Sequence, residues 1–119
     1  MKKVLPLLVL VMMAFAGCQR GPATYEFTKN PHEIAPHAEK FTKQVEKQSK
    51  HYTVVEWNLA IEQFVSMSKN YYEFGKYMTP EEQNRYDDAR IRFVNALYAN
   101  GSEELAIKVK EQYSELMGQ

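Results

Sequence analysis

The sequence predicts an all-α fold, a small up-and-down bundle of three to four antiparallel helices. Three observations lead to this prediction. From residue 31 onward, apolar residues recur at spacings of three and four positions. Helix start signals interrupt this pattern at Thr53, Thr79 and Ser102, and the intervening connections are short. No segment shows the sustained apolar–polar alternation that is typical of a strand.

The composition allows one domain and excludes several classes of protein. The chain has 119 residues, which is the length of one domain. Its 15 Lys and Arg residues balance 15 Asp and Glu residues, so the chain has no excess positive charge to attract nucleic acid, and we expect no nucleic-acid partner. Three His and a single Cys exclude a disulfide framework and disfavour a zinc site with several His or Cys ligands.

The N-terminus has the pattern of an export signal. Lys2 and Lys3 precede the uncharged run Val4–Ala16, which is thirteen residues long. That run is too short to span a bilayer as a helix, which takes about 20 apolar residues. Small residues, Ala16 and Gly17, then precede the single Cys. We therefore interpret residues 1–17 as a cleaved signal peptide.

Residues Ala16, Gly17 and Cys18 resemble the lipobox of bacterial lipoproteins, with Phe15 at the position where Leu is usual. The resemblance implies that Cys18 becomes the first residue of the mature chain and carries acyl chains, which anchor the protein in a membrane. The alternative is a buried first helix with an incidental free Cys. Gln19, where an Asp would favour inner-membrane retention, indicates the outer membrane. Acidic residues just after the Cys direct some lipoproteins to the cell surface, and here the first acid is Glu26, so we expect the periplasmic face.

Residues 18–30 are expected to form a flexible tether that carries the lipidated Cys18, followed by a helical domain at residues 31–119. Gly21 and Pro22 occur in this segment, which has no helical periodicity. Tyr25 and Phe27 alternate with polar residues, so they either pack onto the helical domain or make no tertiary contacts in a disordered stretch.

The first predicted helix runs from Pro36 to Lys50, because a proline is best tolerated in the first turn. Asn30 and Pro31 could cap an earlier start. One apolar stripe comprises Ile34, Ala38, Phe41, Val45 and Tyr52.

Capping signals define the next three helices. Thr53 with Glu56, and Thr79 with Glu82, form capping boxes that open helices two and three. Helix two is expected to end at Gly75 and helix three at residues 100–101. Ser102 opens helix four. The inner faces of helices two to four include Trp57, Phe64, Tyr86, Phe93, Leu97, Val109 and Tyr113.

No catalytic or cofactor-binding pattern is present in the sequence. His32, His37 and His51 do not recur at metal-ligand spacing. Paired acids at residues 81–82 and 103–104 lie in predicted first turns, where a negative charge interacts favourably with the positive end of the helix dipole. We find no nucleophile motif and no glycine-rich phosphate loop. The sequence therefore predicts a protein that is not an enzyme, with no metal and no cofactor.

The segment 70–78 has the most unusual composition, with four aromatic residues and a Met near the end of helix two. Tyrosine-rich surfaces that include Met make good recognition sites. The candidate interaction surface comprises Tyr71, Tyr72, Phe74, Tyr77 and Met78. The alternative is that these side chains close the end of the core.

As a whole, the chain resembles small uncharacterised helical lipoproteins of Gram-negative envelopes, through the lipobox, the short tether and the two capping boxes. Residues 78–83 are also similar to the Leu-Thr-x-x-Gln motif of periplasmic helical-hairpin chaperones, but Met replaces Leu and Gln comes one position late. We expect a lipid-anchored, non-enzymatic module that docks an envelope protein. The alternatives are a periplasmic ligand- or client-binding protein and an inhibitor of a secreted enzyme.

Overall fold

The computed structural model describes residues 21–118, which form four helices and no strand. The helices are α1 (Pro31–Gln48), α2 (Val54–Phe74), α3 (Pro80–Asn100) and α4 (Glu103–Leu116). Short 3-10 turns at Ser49–His51 and Gly75–Tyr77 follow α1 and α2. The predicted all-α bundle is confirmed. The predicted signal peptide, residues 1–17, and Cys18 lie outside the described residues.

Two ion pairs show that α1 and α3 run parallel. Arg85 and Arg92 lie seven residues apart on α3, and Glu39 and Glu46 lie seven apart on α1. Each guanidinium binds its carboxylate through two nitrogen atoms, with the shorter N–O distance 2.6 Å in both pairs. Equal spacing in the same chain direction requires parallel helices in fixed register.

Helix α2 runs antiparallel to α3. Near the end of α2, the Tyr71 ring stacks on Tyr86 in the first turns of α3, with ring centroids 4.1 Å apart. Near the start of α2, the Trp57 Nε1–H donates to the carbonyl oxygen of Asn100, the last residue of α3. Successive helices therefore alternate in direction, as short connections require.

The predicted helix starts of α2, α3 and α4 are confirmed by cap geometry. The Thr53 and Thr79 hydroxyls accept from the backbone N–H three residues later, and the carboxylates of Glu56 and Glu82 accept in return from the cap N–H. The Ser102 hydroxyl accepts from the N–H of Leu105. Each cap satisfies backbone donors that the first turn leaves without a partner inside the helix.

Helix α1 begins five residues earlier than predicted, at Pro31 instead of Pro36. The Asn30 side chain caps this start by accepting from the N–H of His32. Pro36 then lies inside the helix on its exposed side. The earlier start buries Ile34 completely, and this burial offsets the backbone hydrogen bond that Pro36 cannot donate.

Aromatic rings form the centre of the core. Phe93 of α3 stacks on Phe64 of α2 with centroids 4.4 Å apart, and on Phe41 of α1 at 5.6 Å. Trp57 meets the same ring edge-on at 6.2 Å. Beside them, the buried Thr42 hydroxyl donates to the Ala89 carbonyl oxygen across the α1–α3 contact. These contacts join α1, α2 and α3 around one residue.

Candidate functional site

Residues 21–30 bind to the body along α1 and α2, and we call this segment the strap. We expected residues 18–30 to form a flexible tether in which Tyr25 and Phe27 either pack onto the body or lie in a disordered stretch. In residues 21–30, Ala23 is fully buried and Tyr25 is 6% exposed, so Tyr25 packs onto the body. The Tyr25 ring packs edge-on against Phe41 of α1, with centroids 6.4 Å apart. The described part of the predicted tether is therefore part of the folded domain.

Asn70 of α2 holds the strap in place. Its Oδ1 accepts from the Tyr25 hydroxyl at 2.7 Å and from the Thr28 N–H at 3.0 Å. Its Nδ2 donates to the Thr28 carbonyl oxygen at 2.8 Å. The Asn70 side chain is fully buried, and these bonds satisfy its amide. The sequence analysis missed this residue, although a lone amide three positions after Met67 on an apolar face was an available signal.

The strap enters the bundle beside the turn between α1 and α2. The Ala23 N–H donates to the Tyr52 hydroxyl at 3.0 Å, and the Tyr25 N–H donates to Gln63 Oε1 at 2.8 Å. Farther along, Phe27 meets Phe74 near the end of α2, with ring centroids 6.3 Å apart. The strap therefore runs the length of the bundle before α1 begins.

The bundle has two ends, which we name by the course of the strap. The entry end contains the α1–α2 turn at residues 49–53 and the α3–α4 turn at residues 101–102, which meet where Asn100 Nδ2 donates to the Ser49 hydroxyl. The far end contains the α2–α3 turn at residues 75–79 and the start of α1, which meet through His32 and Glu82 at 3.1 Å.

The predicted interaction surface lies at the far end, but the structure divides its members. Met78 is 5% exposed and belongs to the core, so it offers no surface to a partner. Tyr71 is half-buried by its stack on Tyr86, and Phe74 is half-buried beside the strap. Tyr72 and Tyr77 are 61% and 60% exposed. The segment therefore contributes side chains to the core and leaves other aromatic side chains exposed, and its role as an interaction surface stays a prediction.

Phe27 joins the exposed aromatic residues of the far end, and the sequence analysis did not assign it to this surface. Its side chain is 44% exposed, although it contacts Phe74. Lys76 lies against this end, with its Nζ 5.2 Å from the Tyr77 ring centroid. We define the far-end aromatic surface as Phe27, Tyr72 and Tyr77. These three residues combine apolar rings with two hydroxyl groups that can hydrogen-bond to a partner.

Two side chains at the far end have shifted pKa values, one because it caps a helix and one because it is buried. The pKa of Glu82 is lowered, first by the hydrogen bond from the backbone N–H of Thr79 and then by His32. The pKa of Tyr71 is raised because burial disfavours its ionised form. The lowered pKa of Glu82 thus follows from its part in the capping box, and the raised pKa of Tyr71 follows from its burial against Tyr86.

The histidines of the described chain lie apart. His32 contacts Glu82, whereas His37 Nδ1 donates to the Glu26 carbonyl oxygen at 2.8 Å, and His51 is exposed. Within residues 21–118, no group of three or more His, Cys, Asp or Glu side chains is placed to hold a metal ion.

A small cleft opens between α2 and α4, with a volume of about 140 Å³. Its lining includes Phe64, Val109 and Tyr113. The Arg90 guanidinium lies 4.7 Å above the Tyr113 ring, on the side that faces α3. Burial raises the pKa of the Tyr113 hydroxyl. The cleft is apolar and has room for about one aromatic ring.

Between residues 21 and 118, no helix combines the length and apolar character needed to cross a bilayer. No family model matches the chain, and neither the curated proteins nor the solved structures include a significant match.

Proposed function

We propose that this protein is a lipid-anchored, non-enzymatic interaction module of a bacterial envelope, held by acyl chains on Cys18 and facing the periplasm from the outer membrane. The lipobox residues 16–18 support the anchor. The far-end aromatic surface supports the docking role. It lies at the end of the bundle opposite to the point where the strap enters, so an anchored body presents it away from the lipid.

The observation that carries the docking proposal is the exposure of Tyr72 and Tyr77. Each leaves about three fifths of its side chain in water, although the core beside them buries Met78 and stacks Tyr71. Tyr is a preferred residue at the energetic centre of protein interfaces, because it buries a large area with few rotatable bonds. The partner that fits is an envelope protein with a shallow apolar site and hydrogen-bonding groups around it.

The anchor is tested by Cys18→Ala. We expect this variant to lose metabolic palmitate labelling and to accumulate as the unprocessed precursor, because the thiol is the acylation site. Labelling and processing equal to those of the natural chain would contradict the lipoprotein assignment.

The docking surface is tested by crosslinking in intact envelopes. A thiol-directed photo-crosslinker is placed at Tyr77→Cys, with Lys43→Cys on α1 as a matched exposed control. We expect one partner to be trapped at position 77 and not at position 43, and we expect Tyr72→Ala to abolish the adduct. Equal adducts at both positions would contradict a specific surface at the far end.

A second function, the binding of a small apolar ligand, is favoured by the cleft between α2 and α4. A ligand that occupies it would raise the melting temperature in proportion to the logarithm of its concentration. A thermal-shift series with short aromatic compounds tests this function, and Val109→Phe, which fills the cleft, should remove the response.

A further inference from the structure

Two valines at the entry end are unusually exposed. Val54 and Val55 open α2 and are 71% and 66% exposed, the largest fractions among the exposed large apolar residues between positions 21 and 118. A β-branched residue is a weak helix former, so propensity gives no reason for two valines in an exposed first turn. Their exposed methyl groups therefore need another explanation.

The course of the strap places these valines near the residue that carries the lipid. Ala23 is bound to the Tyr52 hydroxyl, and Tyr52 comes two residues before Val54. Cys18 precedes Ala23 by five residues, a separation that a fully extended chain covers in at most about 18 Å. Helix α2, at 21 residues, is about 31 Å long. Cys18 can therefore lie beside the entry end, and it cannot reach the far end.

The charges of the entry end point to the apolar part of a bilayer and not to an anionic headgroup layer. Lys47 lies in the last turn of α1, and Lys50 lies in the 3-10 turn that follows it. Three acids of the neighbouring first turns outnumber these two lysines: Glu56, Glu103 and Glu104. Electrostatic attraction to anionic lipid is therefore weak, whereas the valine methyl groups gain from leaving water on any lipid.

We infer that Val54 and Val55 insert into the interface of the bilayer that holds the Cys18 lipid, so that the bundle stands on its entry end. This inference rests on the proposed lipid anchor. The lipid supplies the affinity, and the valines set the orientation of the body. The far-end aromatic surface then faces away from the membrane.

Site-directed fluorescence on the full mature lipoprotein tests the orientation. Since Cys18 is the single Cys and is acylated, an introduced cysteine is the one free thiol. Val54→Cys is labelled with bimane in phosphatidylcholine vesicles that contain brominated lipid, and Tyr77→Cys is the matched exposed control at the far end. We expect about twofold quenching at position 54 and almost none at position 77, because quenching requires contact with the acyl-chain region.

A flotation assay on the same samples separates the two proposals. Protein that floats with the vesicles but shows no quenching at position 54, or equal quenching at both positions, overturns the inference and leaves the anchor intact. Protein that does not float overturns the anchor and the inference together.

A second variant shows whether the valine side chains themselves set the orientation. Val55→Asp is combined with the label at position 54. An acid in the first turn of a helix interacts favourably with the helix dipole, so this variant should still fold. We expect flotation to be unchanged and quenching at position 54 to be lost. Quenching that survives Val55→Asp would show that the valines do not direct the contact.

Discussion

Tyr25 and Tyr86 are both buried tyrosines, yet their hydroxyl groups have opposite surroundings. The Tyr25 hydroxyl donates to Asn70 at 2.7 Å. The Tyr86 hydroxyl lies beside Ser68 and Tyr113, but it forms no hydrogen bond of acceptable geometry. A buried hydroxyl without a partner loses its water and gains nothing in return.

This difference predicts opposite effects of the same substitution. Tyr25→Phe should lower the free energy of unfolding by about 1 kcal/mol, since one buried hydrogen bond is lost and the Thr28 N–H still satisfies Asn70. Tyr86→Phe should leave it unchanged or raise it by up to about 1 kcal/mol. Urea denaturation of both variants provides the measurement. A loss above about 2 kcal/mol for Tyr86→Phe would show that its hydroxyl has a partner.

At the residue scale, the burial of aromatic rings was more predictable from the sequence than the polar contacts were. The spacing of Trp57, Phe64 and Phe93 was sufficient to place them in the core. Asn70 could not be paired with the strap, because its partner Thr28 lies 42 residues earlier and no local pattern links them. Tyr72 falls on the same broad apolar face as its neighbours, so only the packing at the end of α2 shows that it is exposed.

At the scale of single elements, helix starts were predictable where the interactions are local. Thr53, Thr79 and Ser102 bond to backbone groups three residues away, so their role can be read from adjacent sequence. The start of α1 has a local signal of the same kind in Asn30, but Pro36 gives a competing one. The local penalty of Pro36 favours a later start, whereas burial of Ile34 against the bundle favours the earlier one, and burial prevails.

Pro36 therefore destabilises α1, and its replacement should stabilise the fold. In Pro36→Ala, the restored N–H can bond to the carbonyl of residue 32, and the exposed position accommodates Ala. We expect the free energy of unfolding to rise by about 1 kcal/mol, less than the full intrinsic difference of about 3 kcal/mol, because the unfolded chain also gains freedom.

The matched control for this prediction is Pro31→Ala at the first helical position. Pro suits that position, where no hydrogen bond to the preceding turn is available, so Pro31→Ala should have no stabilising effect. Chemical denaturation monitored by circular dichroism compares the two variants. Equal stabilisation by both would contradict the explanation based on the helix interior.

At the scale of the whole molecule, tyrosines distributed through the core make the fold sensitive to alkali. Burial is the main cause that raises their pKa values. The affected residues are Tyr25, Tyr52, Tyr71, Tyr86 and Tyr113. In the unfolded chain these hydroxyls ionise near pH 10, while in the folded chain they retain their protons. The folded state then binds more protons, so stability is complete below pH 10 and falls as pH rises above it.

The measurement is the free energy of unfolding from pH 8 to pH 11. We expect a plateau at the lower values and a steady decline above about pH 10. Removing one deeply buried hydroxyl with Tyr86→Phe should reduce the slope of the decline by up to about 1.4 kcal/mol per pH unit. The same slope in the variant and the natural chain would show that Tyr86 takes no part in the alkaline loss.

The up-and-down order of the helices was predictable, because short connections allow few alternatives. That order makes α1 and α3 parallel, but the register of their contact was not predictable, since its ion pairs join residues 46 positions apart. The strap was also uncertain: Tyr25 and Phe27 were compatible with packing or with disorder. Its hydrogen bonds to Tyr52, Gln63 and Asn70 span 29 to 45 residues, and only the assembled bundle provides these partners.

The strap would also limit the space that the proposed lipid-anchored protein can explore. Ala23 is fixed to the bundle, and only four residues separate it from Cys18, the proposed acylation site, while α2 is about 31 Å long. If Cys18 is acylated as we propose, the far-end aromatic surface would stay within a narrow range of heights above the bilayer. The proposed docking would then select envelope partners whose own binding sites lie at that height.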